Sequence, residues 1–170
     1  MTVGFATILL GTVCATAIGV SSGYFGGVYD LVVQRVVDAW MSFPYLMIVL
    51  SVMAVLGPGL LNVILSLSLI VTATSSRVIR GATIGVAQQP YVEAARAIGA
   101  GHGRVILRYL LPNVMPTVII LATIGLGRTY MFRAPWMAVW PGVAISLAVF
   151  GFNMLGDALR DVLDPRLRGA

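Results

Sequence analysis

The sequence predicts an all-α, polytopic membrane helical bundle of about five transmembrane helices, and three observations carry that prediction. Hydrophobic residues make up 59% of the chain and charged residues only 10%, with a mean hydropathy of +0.96; soluble domains carry roughly a quarter charged residues. The apolar residues fall in runs long enough to cross a bilayer, whose ~30 Å hydrocarbon core takes ~20 helical residues. All eleven basic residues are Arg, and they gather in a few stretches between those runs. That gathering is the footprint of loops held on one side of a membrane. Nucleic-acid binding would need a basic face interleaved with stacking aromatics, so no nucleic-acid partner is expected. The 170 residues hold one transmembrane domain, 1–170, without room for a second soluble one.

The first span covers residues 2–29, which contain no charge and lack the basic start of a cleaved signal peptide. Gly11, Ala15, Gly19, Gly23 and Gly27 recur every four residues and lay a ridge of small side chains along one helical face, where a neighbouring backbone can come close. Asp30, Arg35 and Asp38 alternate with valines and mark an interfacial start to the second span, 39–56, in which Phe43-Pro44 predicts a kink. Gly57-Pro58-Gly59 is a tight turn. The third span, 60–75, carries Asn62, Ser66, Ser68, Thr72 and Thr74 as candidates for buried hydrogen bonds, with hydroxyls bonded back to their own helix the arrangement expected of each singly.

Residues 77–108 form the most basic stretch, with five Arg against Glu93, and the positive-inside rule makes it cytoplasmic. Pro90 suits a helix start, so a helix over 91–100 follows, and Gly99, Gly101 and Gly103 stop it. A second basic turn carries Arg104 and Arg108, and Pro112 marks re-entry into apolar sequence. A fourth span over 109–127 and a fifth over 135–155 leave residues 156–170 as a short amphipathic cytoplasmic helix. Counting crossings from the cytoplasmic loop places Met1 and Gly57-Pro58-Gly59 outside and the C-terminus inside.

Catalytic chemistry finds no residues to work with. Asp30, Asp38 and Asp157 fall at span ends, and the lone His102 lies between two glycines without a Cys, Asp or second His spaced for a metal. Cys14 sits alone in an apolar run. No G-x4-GK[ST] loop occurs, so no nucleotide cofactor is expected in this chain.

EAARAIG at 93–99, followed after nine residues by Tyr109-Leu110-Leu111-Pro112, resembles the EAA motif of ABC-importer permease subunits, with Tyr109 where that pattern prefers Ile. GYFGG at 23–27, D-x4-R-x2-D at 30–38, FPYL at 43–46, LGPGLLNVILSLSL at 56–69, R-x2-R at 77–80 and APW-x4-PG-x12-LGDALRDVLDPRLR at 134–168 are similar to the C-type subunit of the dipeptide, oligopeptide and nickel branch. The resemblance implies a type I importer permease core in a bacterial inner membrane. Its 77–108 stretch would hold a coupling helix that seats in a cytoplasmic ATPase through Glu93, Ala94, Ala95, Gly99, Leu111 and Pro112. It further implies ATP bound by partner ATPase subunits, a homologous second permease subunit, an extracytoplasmic solute-binding protein, and a path lined by the helices holding Phe43-Pro44, Asn62 and Pro112/Pro116. Two departures stand out: the family's first span and the segment after it precede the position of Met1, and a family segment between the equivalents of Gly127 and Arg128 is missing. A transport-inactive remnant of such a permease is the alternative reading, and an intramembrane enzyme a more distant one.

Overall fold

The computed structural model describes residues 2–133 and 136–163, with side chains described over 2–129 and 139–155. Every described element is helical: α1 Thr2–Phe25, α2 Gly27–Met41, α3 Tyr45–Leu56, α4 Leu60–Ala87, α5 Pro90–Ala97, α6 His102–Val105, a π-turn Ile106–Leu110, α7 Leu111–Arg133 and α8 Trp136–Leu163. The chain divides into two compact units, one up to Gly127 and one from Arg128.

The first unit is built on α1 against α4. Among the predicted small residues, Gly11, Gly19 and Gly23 touch α4 so closely that a Cβ has no room. At Gly19 it would stand 2.7 Å from the Ser76 carbonyl oxygen and 2.9 Å from Ile79. At Gly11 it would meet Val71 at 2.7 Å, and at Gly23 it would meet Thr83 at 2.8 Å and the Arg80 carbonyl at 2.9 Å. Ala15 is fully buried within the same contact. The partners rise in step along both chains, so α1 and α4 run parallel. That agrees with the predicted topology, in which both run from outside to inside.

The hydroxyls of α4 bond back to their own helix as expected. Ser66 donates to Asn62 O at 2.6 Å, and Thr74 to Ile70 O at 3.0 Å. Ser68 and Thr72 add something across the interface, lying 3.2 Å from the Thr7 and Gly11 carbonyls of α1. Asn62 acts elsewhere, since its amide donates to the Leu56 and Gly57 carbonyls and caps the end of α3.

Several boundaries move. The helix predicted to end near Ser75 runs on to Ala87, because nothing between Ser76 and Ala87 breaks helical geometry. Arg77 and Arg80 are therefore helical residues rather than loop residues. The kink at Phe43-Pro44 is a full break, with α2 and α3 bent by 89°. Residues 39–41 belong to α2, and the 12 residues of α3 reach only ~18 Å at 1.5 Å each. The fourth span, expected over 109–127, lies within one helical run, His102–Thr129, that is long and apolar enough to cross. The π-turn precedes Pro112, and the Leu111 N–H there reaches back to Ile106 O instead of closing a regular α-turn. Pro112 has no N–H to offer Arg108 and its ring crowds that carbonyl, so a widened turn just ahead of it relieves the conflict.

Among the described residues three helices are long and apolar enough to cross a membrane, and four if the bent α2–α3 pair is one span. In the second unit, α8 continues from Trp136 through Leu163 without a break, so the expected tail helix over 156–163 is its end rather than a separate element. Residues 164–170 lie outside the described residues, as do the side chain of Trp136 and those of Leu159 and Leu163. Every described side chain of α8 from Val139 to Leu155 is exposed within this chain, and most are apolar. The fifth predicted span falls on this stretch.

Overpacking typically costs about 1–3 kcal/mol. Gly19→Ala should therefore destabilise the detergent-solubilised chain by about that amount in thermal unfolding. Gly85→Ala, at an exposed helical site with open space around it, should be neutral or stabilising by up to ~1 kcal/mol.

Candidate coupling site

The short helix α5 starts with Pro90 in its first turn and ends in a closed cap. Gly99 takes φ +81°, its N–H donates to Arg96 O at 2.9 Å, and the Ala100 N–H donates to Ala95 O at 3.0 Å. This 6→1 and 5→2 pairing turns the chain sharply and returns Ala100 towards Val92. No atom lies within 4 Å of a Cβ on Gly99, so the need for glycine there comes from the backbone angle and not from space within this chain.

The helix has two faces. Val92 is fully buried, packed with Val105 and Leu110 under Tyr24 and Val86, and Ala95 on the same face is 4% exposed. Glu93, Ala94, Arg96, Ala97 and Ile98 face outward, and Ile98 is 84% exposed. Of the paired alanines, then, Ala94 is on the outer face and Ala95 secures the helix from within. Leu111 is half-buried in the bundle core, and Pro112 is exposed.

What holds this element is the last turn of α1. Tyr24 Oη and His102 Nδ1 share a hydrogen bond at 2.8 Å, and the two rings meet edge-on at 5.7 Å. Phe25 packs on His102 at 5.7 Å and on Tyr29 of α2 at 5.6 Å. The Arg96 guanidinium stands 4.9 Å over the Tyr24 ring, within cation–π range. His102, which lies between two glycines in the sequence, is exposed but docked. Gly26 and Gly27 then take φ +63° and +56°, turning α1 into α2 within a single residue. Every residue of Gly23-Tyr24-Phe25-Gly26-Gly27 is thereby accounted for physically. Gly23 permits close approach, Tyr24 and Phe25 form the clasp, and Gly26 and Gly27 make the turn.

Two ion pairs fix α2 to the lower half of α4. Arg80 grips Asp30 through both Nε and Nη2, and Ser22, fully buried on α1, donates to the same carboxylate while accepting from Gln34 at 3.1 Å. Arg77 pairs with Asp38 nearer to solvent. With 15 residues and three charges, α2 is not by itself a candidate span, and only together with α3 does it become one. The Arg80 guanidinium, aided by Ser22, holds the Asp30 carboxyl below the usual carboxylate range. Among the described residues no group of three His, Cys, Asp or Glu could hold a metal.

The family described as the binding-protein-dependent transport system inner membrane component matches residues 15–129, from the middle of α1 through the coupling element to α7. The chain belongs to this family. The permease is 30% identical to a dipeptide transport system permease protein of Alkalihalophilus pseudofirmus, over 98% of this chain and 64% of that one. It is 30% identical to a glutathione transport system permease protein of Pectobacterium atrosepticum, over 97% and 65%, and 32% identical to one of Escherichia coli O6:K15:H31, over 98% and 65%. The permease therefore spans just under two thirds of the length of these relatives. The matches run over 195 or 196 positions against its 170 residues, so the relatives carry internal residues without a counterpart here.

Sequence reasoning finds the short helix α5 and misses its clasp. Tyr24 and His102 lie 78 positions apart in the chain, and only the joint occurrence of GYFGG and the Arg-rich stretch hints that the two belong together. Gly99→Ala, which must hold an L residue in a left-handed conformation, should cost about 1–2 kcal/mol of stability, read by thermal unfolding of the chain in detergent. Asp30→Asn should cost about 1.5–3 kcal/mol, since it weakens a partly buried bidentate pair. Asp38→Asn, at an exposed pair, should cost less than ~1 kcal/mol.

Proposed function

We propose that this permease moves peptides or similar small solutes across the inner membrane by alternating access, driven by cytoplasmic ATPase subunits that grip α5. The observation that carries the reading is the contrast between the two faces of α5. Val92 and Ala95 are locked into the bundle, while Ile98, an apolar side chain at the tip, stays 84% exposed beside Glu93 and Ala94. A monomer gains nothing by presenting an isoleucine on so small and otherwise charged a projection. An apolar anchor ringed by polar groups is how a protein partner is engaged. The outer face of α5 supplies that anchor and Glu93 the charge, while Gly99 keeps the cap short. ATP would be bound by the partners, a solute-binding protein would deliver cargo outside, and a homologous second permease subunit would complete the path. The relatives' dipeptide and glutathione transport support the choice of cargo.

Substitution of a central apolar anchor costs upwards of ~2 kcal/mol. Ile98→Ala should therefore weaken capture of the ATPase subunits by about 30-fold or more, and Glu93→Lys should uncouple ATP hydrolysis from transport while membrane insertion is unchanged. Normal capture and transport by Ile98→Ala and Gly99→Trp in a reconstituted complex would overturn the assignment. A second reading, a permease remnant that inserts but does not assemble, is favoured by the relatives' extra internal residues. It predicts that the wild-type chain inserts and folds yet neither captures the ATPases nor stimulates their hydrolysis. For orientation, a His102→Cys chain lacking Cys14 should react with a membrane-impermeant thiol reagent only from the cytoplasmic side; labelling from outside would refute the topology.

A further inference from the structure

We propose that the last turn of α1 is a mechanical relay joining the coupling helix to α2, so that motion of α5 is delivered to the break before α3. The proposal rests on the coupling reading of α5 and adds to it a route and the residues that form it. Three features meet within that one turn. Tyr24 holds His102 by a 2.8 Å hydrogen bond and lies under Arg96, and Phe25 packs on His102 at 5.7 Å; together these grip the coupling element from its C-terminal side. Phe25 also packs on Tyr29 at 5.6 Å, and Tyr29 Oη donates to Ser21 at 3.2 Å, so the first turn of α2 rides on the same rings. Ser22 then bonds Asp30, which Arg80 holds from α4.

The geometry makes these contacts a joint instead of a rigid block. Gly26 and Gly27 interrupt the helix with two left-handed angles, and no atom stands within 4 Å of where their side chains would be. Backbone free of neighbours at a two-glycine turn can absorb rotation. At its other end α2 stops at Ser42, where the chain turns by 89° into α3. The helix is thus a short lever between two hinges, tied down by Asp30 near one hinge and by Asp38 near the other. Its docked and released states form a two-state element, which both the aromatic clasp and the Asp30 ion pair bias. Coupling between two such sites must be reciprocal: loosening the clasp must loosen α2, and loosening α2 must loosen the coupling element.

Hydrogen exchange on the full chain in lipid nanodiscs reads this without any partner. His102→Ala removes the Tyr24 bond and the Phe25 contact without touching α2. It should speed exchange of the 28–41 amides by about fivefold or more, with 66–83 holding at the wild-type rate. Asp30→Asn should speed exchange over 91–105 by a similar factor. Tyr24→Phe, which removes only the hydroxyl, gives the same reading with a smaller effect should His102→Ala loosen the whole bundle. If the clasp variants change 91–105 alone and Asp30→Asn changes 28–41 alone, the two tethers are independent and the relay is refuted. Because no ATPase is present, that result would leave the coupling assignment of α5 intact, and failure of the Ile98→Ala capture test would leave the relay standing.

Discussion

The fold depends on how closely two helices can approach where there is no water to drive them together. Lipid tails are as apolar as leucine, so helices in a membrane associate through shape and short-range contact. In this permease the glycines of α1 supply the shape, bringing its backbone against the Ser76 and Arg80 carbonyls of α4. The same closeness puts the Ser68 and Thr72 hydroxyls within 3.2 Å of carbonyls on α1. Because the two helices run parallel, the chain between them must cross back, and α2 and α3 are that return. The feet of α1 and α4 then share one end of the bundle. Only there can Asp30 reach Arg80 and Tyr24 reach His102.

Local chemistry makes part of this legible in the sequence. The four-residue repeat of small side chains foretells the α1–α4 contact, and Pro90 and Gly99 foretell both ends of α5, because each acts through its own backbone. The final repeat position, Gly27, does not join the ridge because the turn at Gly26 has already ended α1. Helix ends without such markers are harder to read: α4 passes Ser75 because Arg77 and Arg80 are good helix formers, and their charge alone does not distinguish helix from loop. The clasp is illegible for a different reason. Tyr24, Phe25 and His102 carry no periodic signal, and their meeting is a consequence of the tertiary packing that the glycines permit. The burial of Ala95 is likewise hidden, since helical phase is set by what lies beneath the helix, here Val105 and Leu110 under Val92.

The lengths of the helices bear on how α5 is held. Both α4 and the 102–129 run contain 28 residues, or ~42 Å at 1.5 Å each, against a hydrocarbon core of ~30 Å. Each is therefore about two turns longer than a perpendicular crossing needs. In α4 the last eight residues begin at Arg80, and a charge near a membrane boundary is tolerable if it is paired. Asp30, arriving on α2, supplies that pair. Beyond it Val86 and Val105 pack with Val92 and Leu110. This second, smaller core holds α5 against the bundle and leaves Ile98 exposed. Shortening α4 by one turn would take Val86 out of that core and remove support from under α5, so the extra length of α4 is as much a part of this element as the residues on it.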